Sequence, residues 1–563
     1  MLLLFAGILY TSFVCWSWGL GAWKWLQQIS KGSSMGLLSF PEQSFIGFIF
    51  ITALGAVANF WIPLGGWYQQ LFLFVMALLF CWQYNGFSLL KTELGLYVKM
   101  KWTAKLLLLI AAGWILIMGS WKIIHPDSLA YHFPLIRWSA EHIVTPGLAN
   151  LHIRFGYQSN WFVGAAIFDP GFMGINSISF INGALLIWFV AFCVKRLYAY
   201  ALYEQEKGGK ILWIALLFIS GWAFTQFRLT ASSASPDFIA AIFIWYIFYL
   251  VLHSSNHPIY RLVIAILILF SFTIKLSSAP LFILLTFLLL ENKALLIRKH
   301  FLTFAIIVLF ISGPFLLRNH ISSGYLLFPS SLVHVGASDW KVPIDKVDQE
   351  AAYVKAYARI QSEGDMESIQ EANNASLLNW LPEWLSLRSE AEISILILTL
   401  VLVIIGLLHF KIIRKMPLPY QILLLTGITG LGLWFMMAPD PRFGWGFLIG
   451  LMALLLYPLS LPEFMKRNEK LLIDTGLYIL LAFGAAYFVY RVYNYSTPET
   501  WIKPAGVVEQ SFRVQNVGSM ELRIPIPENG CGNSAQPCTY DSIPLVELRG
   551  KNPEDGFRFK ENH

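Results

Sequence analysis

The chain has 563 residues, 57% hydrophobic and 13% charged, with a mean hydropathy of +0.60. Soluble globular chains run at about 25% charged and 45–50% apolar, so a water-soluble enzyme of this size is excluded. An aromatic content of 16% and only five cysteines exclude disordered and disulfide-scaffold classes, and a net charge of +7 is too modest to call for nucleic acid. What remains is a polytopic membrane protein, whose 22 Trp, 23 Tyr and 44 Phe suit interfacial belts and apolar helix surfaces.

A membrane-crossing helix needs roughly 20 mostly apolar residues. The sequence predicts about 14 such spans: 2–22, 43–63, 68–84, 103–121, 174–194, 211–228, 235–252, 260–274, 277–291, 301–317, 391–410, 420–437, 443–461 and 471–490. The eighth and ninth are short and joined by Lys275-Leu276-Ser277-Ser278. The first span is not read as a cleavable signal peptide, because it lacks a basic start and further spans follow closely.

Lys and Arg concentrate on the cytoplasmic side of membrane proteins. Basic clusters occur at Lys91, Lys99, Lys101 and Lys105, at Lys195, Arg196, Lys207 and Lys210, and at Lys293, Arg298 and Lys299. Two more are Lys411, Arg414 and Lys415, and Lys466, Arg467 and Lys470. With 14 spans all five clusters fall on one face, the expected cytoplasmic one. The termini and the segments 122–173, 318–390 and 491–563 then fall on the exported face. The predicted organisation is a transmembrane module over 1–490 with exported loops 122–173 and 318–390, followed by an exported tail over 491–563.

Around the middle exported segment eleven acids from Asp339 to Glu392 stand against five bases from Lys341 to Arg388. Its stretch Ile344–Gln370 reads as a helix, with Tyr353, Tyr357 and Ile360 at helical spacing, and its simplest reading is a solvated helix on the membrane surface. In the tail, Cys531 and Cys538 stand seven apart, a plausible exported disulfide local to the tail. Cys15, Cys81 and Cys193 lie inside spans and read as packing residues.

Charges at a bilayer are costly and usually face a cavity or a partner. The first exported loop opens His125-Pro126-Asp127-Ser128-Leu129-Ala130-Tyr131-His132 and runs through Arg137, Glu141 and His142 to His152-Ile153-Arg154. Four of the chain's eleven His fall within these 28 residues. On a helix Asp127 and His132 would lie about 140° apart, but both can converge around a ligand. A carboxylate there can accept a proton from a sugar hydroxyl or orient it for attack. The loop also admits a plainer reading, as hydrogen bonds pinning it to the membrane. An Asp/His group can also hold a divalent ion, but no HExxH or CxxC frame supports one, so the expectation is no cofactor, with a divalent metal as the unsupported alternative. Arg228, Asp237, Lys275, Arg318, Asp440 and Arg442 all fall at exported ends of spans. Asp237 suits the first turn of a helix after Pro236. Together these bases and acids point to a site for an anionic headgroup such as a phosphate.

With these residues assembled, the chain resembles a family of bacterial integral-membrane proteins within the GT-C glycosyltransferase class, of the Leptospira/Bacteroidetes type. The segments that carry the resemblance are Pro126–His132, Gly147–Arg154, Gly324–Pro329, Asp339–Pro343 and Cys531…Pro537-Cys538-Thr539. It implies a GT-C-like all-α bundle in the inner membrane. It also implies transfer of a sugar from a polyprenyl-phosphate-linked donor to an exported acceptor, with inversion at the anomeric centre. On that resemblance Asp127 is the catalytic acid-base residue with His132 beside it. Lys275, Arg318 and Arg442 bind the donor phosphate, with Asp237, Tyr131, His152 and Arg154 as further substrate-binding candidates. A transporter or flippase of lipid-linked saccharide, or an O-antigen polymerase or ligase, is the alternative. A transporter would carry its charges near the midplane, whereas these crowd one membrane edge.

Overall fold

A computed structural model describes residues 1–29, 38–123, 125, 127–173, 177–203, 229–254, 258–291, 298–361, 365–458, 469–495, 498–505, 511–526, 530–532, 534–540 and 546–560. Long apolar runs satisfy their backbone groups only as helices when water is absent, and the chain is mostly helical. The first half holds α1 (Leu2–Ile29), α2 (Phe40–Ala58), α3 (Trp67–Gln83), α4 (Gly86–Lys99), α5 (Trp102–Gly119), α6 (Phe133–Glu141), α7 (Leu148–Leu151), α8 (Asn160–Ile167) and α9 (Ser179–Tyr203). Then come α10 (Asp237–Ser254), α11 (Pro258–Ile274), α12 (Leu281–Glu291), α13 (Arg298–Ser323), α14 (Ile344–Ile360), α15 (Met366–Asn374), α16 (Leu377–Ser386), α17 (Glu390–Leu408), α18 (Phe410–Ile413), α19 (Leu418–Met437), α20 (Pro441–Leu456), α21 (Glu469–Tyr495) and α22 (Pro498–Ile502).

Helices stand at every predicted span except 211–228, which with Arg228 lies outside the described residues. By length and apolarity, however, only α1, α2, α5, α9, α13, α17 and α19 qualify to cross a membrane among the described residues. The bent pair α3–α4, which turns by 84°, makes an eighth if it is one span. Asn85 sits at that bend in the left-handed region, at φ 53. Among the described residues the structure therefore supports seven or eight spans, and the count of fourteen is not confirmed. Four apolar helices, α10, α11, α12 and α20, are shorter. A helix rises only 1.5 Å per residue, so α11, α12 and α20, with 17, 11 and 16 residues, fall short of an apolar layer about 30 Å thick.

The core is built where α1 packs along α2, α10 along α20, and α5 along α9 and α21. Small residues set the closest approach: a Cβ on Gly19 would strike the Gln43 carbonyl, and one on Gly47 would strike the Cys15 carbonyl. Trp16, Trp23, Trp161, Trp188 and Trp245 fill the interior. Leu309 on α13 and Leu400 and Leu407 on α17 face outward, as expected of surfaces that meet lipid. The two ends of the bundle carry separate sets of ion pairs. At one end Arg196 meets Glu42 at 2.9 Å, Lys195 meets Glu93 at 3.1 Å and Arg261 meets Glu291 at 3.3 Å. The other end is formed by the start of α10, the end of α11 and the α19–α20 junction, and it holds Asp237, Lys275 and Arg442.

Segment 318–390 differs from its expected form. The predicted helix over Ile344–Gln370 is two helices. It stops where Gln361 adopts a left-handed backbone, and α15 restarts behind Asp365, whose carboxylate accepts from the Ser368 amide at 3.0 Å. Nor is it a solvated surface helix, since Val347, Glu350 and Ala356 are buried.

The tail adds strands that the sequence pattern did not signal. β1 (Ser511–Val517) pairs antiparallel with β2 (Met520–Ile526), and β3 (Val546–Leu548) with β4 (Phe557–Phe559). Cys531 and Cys538 form a disulfide, with Cα atoms 5.9 Å apart. The tail docks against the first loop segment. The Gly532 amide donates to Leu129 O at 2.9 Å, Arg137 donates to Ser534 O at 2.9 Å and Thr539 Oγ1 donates to Leu151 O at 2.9 Å. Gly530, at φ 133, lies so close that a Cβ would come within 2.8 Å of the Leu129 backbone.

Candidate functional site

A cavity of about 540 Å³ opens at the charged end of the bundle, between the helix termini, the two loop segments and the tail. Its size falls within the roughly 300–1,000 Å³ usual for small-molecule sites. Part of the lining is apolar, with Pro280 just before α12 and Phe315, Leu433, Met437 and Phe447 from α13, α19 and α20. The rest is polar and aromatic, and it draws on residues separated by hundreds of positions in the chain.

Asp127 stands at the head of a π-helical turn, Ser128–His132. That turn places Asp127 and Tyr131 on the cavity wall but not His132. His132 is buried behind it, 3.3 Å from Ser128 Oγ and packed on His125 and Phe162, so it does not stand beside Asp127 in the cavity as expected. Arg442 enters at the start of α20, just after Pro441, where Asp440 caps the helix by accepting from the Arg442 amide at 3.0 Å. Its Nη1 donates to Asp127 Oδ2 at 2.9 Å, and its Nε lies 3.4 Å from Asp440 Oδ2.

Lys275 occupies an extended residue between α11 and a short turn over Leu276–Ser278. Its ammonium donates to Asp237, the first residue of α10, and lies 3.9 Å from the centre of the Phe443 ring. Asp237 is thus an ion-pair partner in the cavity wall, beyond its position in the first helical turn. Arg154, on a 3-10 turn, lies 3.6 Å from Glu350 Oε1, and its guanidinium covers the Tyr353 ring at 5.1 Å. Tyr157 donates to Glu350 Oε1 at 2.7 Å.

Two further candidates are not in the cavity. His152 accepts from the Arg154 amide at 3.2 Å and stacks on Tyr540 at 3.8 Å, which props the Arg154 turn from behind. Arg318 was expected to join Lys275 and Arg442, and it does not. It is buried, donating to Asn59 Oδ1 at 2.5 Å and to Ser139 Oγ and Gln158 Oε1 at 3.1 Å each. A guanidinium with three side-chain acceptors is held as a structural tie, and through Gln158 it braces the cavity wall. The pairing Lys275–Asp237 and Arg442–Asp127 brings together four of the predicted residues, with Arg154 and Tyr131 on the same wall.

Sequence reasoning missed Glu350, Tyr157 and Tyr540, which line the same cavity, and read Tyr353 and Tyr357 only as part of a surface helix. Glu350, Tyr353 and Tyr357 follow at i, i+3 and i+7, a single helical stripe that was legible as a face. Nothing in the sequence pointed to Tyr540.

The environment sets the charges. Burial alone would raise the Asp127 carboxyl, but the Arg442 guanidinium holds it below its ordinary value. Burial prevails at Glu350, raising it despite Arg154 and Tyr157. Burial pushes both His132 and His152 down to about 3, so each is a neutral imidazole at neutral pH. Among the described residues no group of three or more His, Cys, Asp or Glu is placed to hold a metal ion. The arrangement can therefore accept an amphiphile, seating its apolar part on the apolar lining. It offers ionised carboxylate, guanidinium and ammonium groups to its polar part.

No curated protein and no solved structure matches the chain. A family model does, over residues 1–449, a stretch that holds Asp127, Arg154, Asp237, Lys275, Glu350 and Arg442 and stops before the tail with Tyr540 and the disulfide. By that match the chain belongs to the family described as Domain of unknown function (DUF8201).

Proposed function

We propose that the protein is a glycosyltransferase of GT-C type in a bacterial inner membrane, moving a sugar from a polyprenyl-phosphate-linked donor to an exported acceptor. The observation that carries this reading is the cavity itself. Part of its lining takes an apolar chain, and the rest presents Lys275 and Arg442 next to the ionised Asp127. A phosphate on a lipid tail needs that combination of cations beside an apolar surface.

In the proposed reaction the acceptor hydroxyl attacks the anomeric carbon. The new C–O bond forms as the bond to the phosphate oxygen breaks, and that oxygen leaves with the electron pair. Asp127 accepts the hydroxyl hydrogen bond and takes its proton late in the step, because a carboxyl held low by Arg442 is a weak base. Lys275 and Arg442 meet the charge growing on the departing phosphate. Attack opposite the leaving group inverts the anomeric centre. The cavity end of the bundle is then the periplasmic face, and the ion-paired end with Arg196 and Glu42 the cytoplasmic one. Charges gathered at a single end suit chemistry at one face better than alternating access around a midplane site.

The test is native mass spectrometry of the full chain in detergent with a polyprenyl phosphate, against the uncharged polyprenol. The phosphate should bind in preference. Arg442→Gln and Lys275→Met should each weaken it roughly 10–100-fold, the equivalent of one lost charged hydrogen bond. Equal binding of phosphate and polyprenol would refute the reading.

A further inference from the structure

Lys275 and Arg442 come from helix termini, whereas the loops and the tail supply much of the remaining cavity lining. One residue type recurs there. Tyr131, Tyr157, Tyr353, Tyr357 and Tyr540 line it, five of the chain's 23 tyrosines from four separate stretches. They lie close together: Tyr131 and Tyr157 have ring centres 5.6 Å apart, and Tyr353 and Tyr357 6.0 Å. Between them stands the Arg154–Glu350 pair, with Glu350 also accepting from Tyr157.

Tyrosine presents an apolar ring and a polar tip. A carboxylate accepts only, and a guanidinium donates only. Rings for C–H faces, with donors and acceptors around them, are the complement of a pyranose, which is apolar on its faces and hydroxylated at its rim. The charges narrow the choice further. Arg154 already covers the Tyr353 face at 5.1 Å, the position a ligand cation would take in an aromatic cage. Glu350, buried at the same point, opposes an anionic ligand. A neutral polyhydroxylated ligand meets neither obstacle.

We propose that this tyrosine-walled part of the cavity is a saccharide subsite, and hence that the acceptor of the transfer is itself a neutral carbohydrate. The inference rests on the transferase reading for naming the acceptor, but saccharide binding itself is measured without any phosphate ligand. Saturation-transfer NMR on the full chain in detergent tests it, with the methyl glycosides of glucose, galactose, mannose and N-acetylglucosamine as probes and with choline and glucuronate as charged controls. At least one neutral glycoside should show transfer to its ring C–H protons. Its affinity should fall at least tenfold in Glu350→Gln and in Tyr353→Ala, and stay within threefold in Arg442→Gln. Tyr353→Phe, which keeps the ring and removes only the hydroxyl, should weaken binding with an unchanged melting temperature, and it decides the matter if the other variants unfold. Silence from all four glycosides, equal binding in the variants, or preferential binding of choline or glucuronate would each overturn the subsite. Glycoside binding without polyprenyl-phosphate binding would instead fell the transferase reading and leave the subsite standing.

Discussion

Replacing Asp127 by Asn separates chemistry from structure at the centre of the cavity. Asn has the same shape, and its amide oxygen can still accept from Arg442 Nη1, now 2.9 Å from Asp127 Oδ2. What is lost is the charge. A hydrogen bond to a charged group is worth about 1.5–3 kcal/mol and a neutral one about 0.5–1.5, so the difference is about 1 kcal/mol. Arg442 also keeps Asp440, 3.4 Å away, as a second carboxylate. The expected destabilisation is therefore well below the roughly 3–5 kcal/mol that follows removal of one partner of a fully buried ion pair. A shift of a few degrees in melting temperature leaves the protein folded. Loss of proton acceptance should cut transfer about 10²–10⁴-fold. The assay is release of polyprenyl phosphate from a polyprenyl-phosphate-linked hexose by the full chain in proteoliposomes supplied with an envelope fraction. The double variant Asp127→Asn with Arg442→Gln should remain inactive and be no more stable than Asp127→Asn, because Asp440 then loses its guanidinium partner. Transfer by Asp127→Asn within threefold of the parent protein would show that the carboxylate is only the structural partner of Arg442.

Arg318→Met should behave in the opposite way. It removes donors to Asn59, Ser139 and Gln158, so stability should drop by about 3 kcal/mol or more while the folded fraction keeps its affinity for polyprenyl phosphate; a lowered affinity with an unchanged melting temperature would place Arg318 in the site after all. The Cys531–Cys538 disulfide closes a short loop worth about 2–3 kcal/mol by chain entropy. Because Gly532 bonds to Leu129 beside Asp127, the double Ser variant should increase hydrogen exchange in the 127–132 turn as well as in the tail. Protection changes confined to the tail would contradict the docking. His132 and His152 are pushed down to about 3 in the fold, so below about pH 6.5 the unfolded chain binds more protons than the folded one. Stability should fall as pH drops from about 6.5 towards 3, by about 2 kcal/mol per histidine at pH 5. Thermal unfolding should show this, His132→Gln should flatten it, and an unchanged slope in that variant would refute the assignment.

Several features needed only neighbouring residues. Apolar runs announce helices because hydrocarbon solvates no backbone, and among the described residues helices stand at the predicted spans for that reason, although only seven or eight of them are long and apolar enough to cross a membrane. Cys531 and Cys538 stand seven residues apart, within the reach of one loop. The position of Asp127, Asp237, Lys275 and Arg442 at span ends is likewise a property of local composition. Which of these charges face each other is not. Arg442 and Asp127 are 315 positions apart, and their contact depends on how α20 packs on α10 and how the first loop folds back over both. The same holds for Arg318, which looks in sequence like Lys275 and is instead tied to Asn59, Ser139 and Gln158. The stripe Glu350–Tyr353–Tyr357 is visible as a helix face, but a face alone does not say whether it meets water or a cavity. Packing of α14 against the Arg154 turn decides that, as docking of the tail decides the place of Tyr540. Helices and short loops follow from interactions a few residues long, whereas a cavity is a shape enclosed by elements whose relative positions only the packed chain defines.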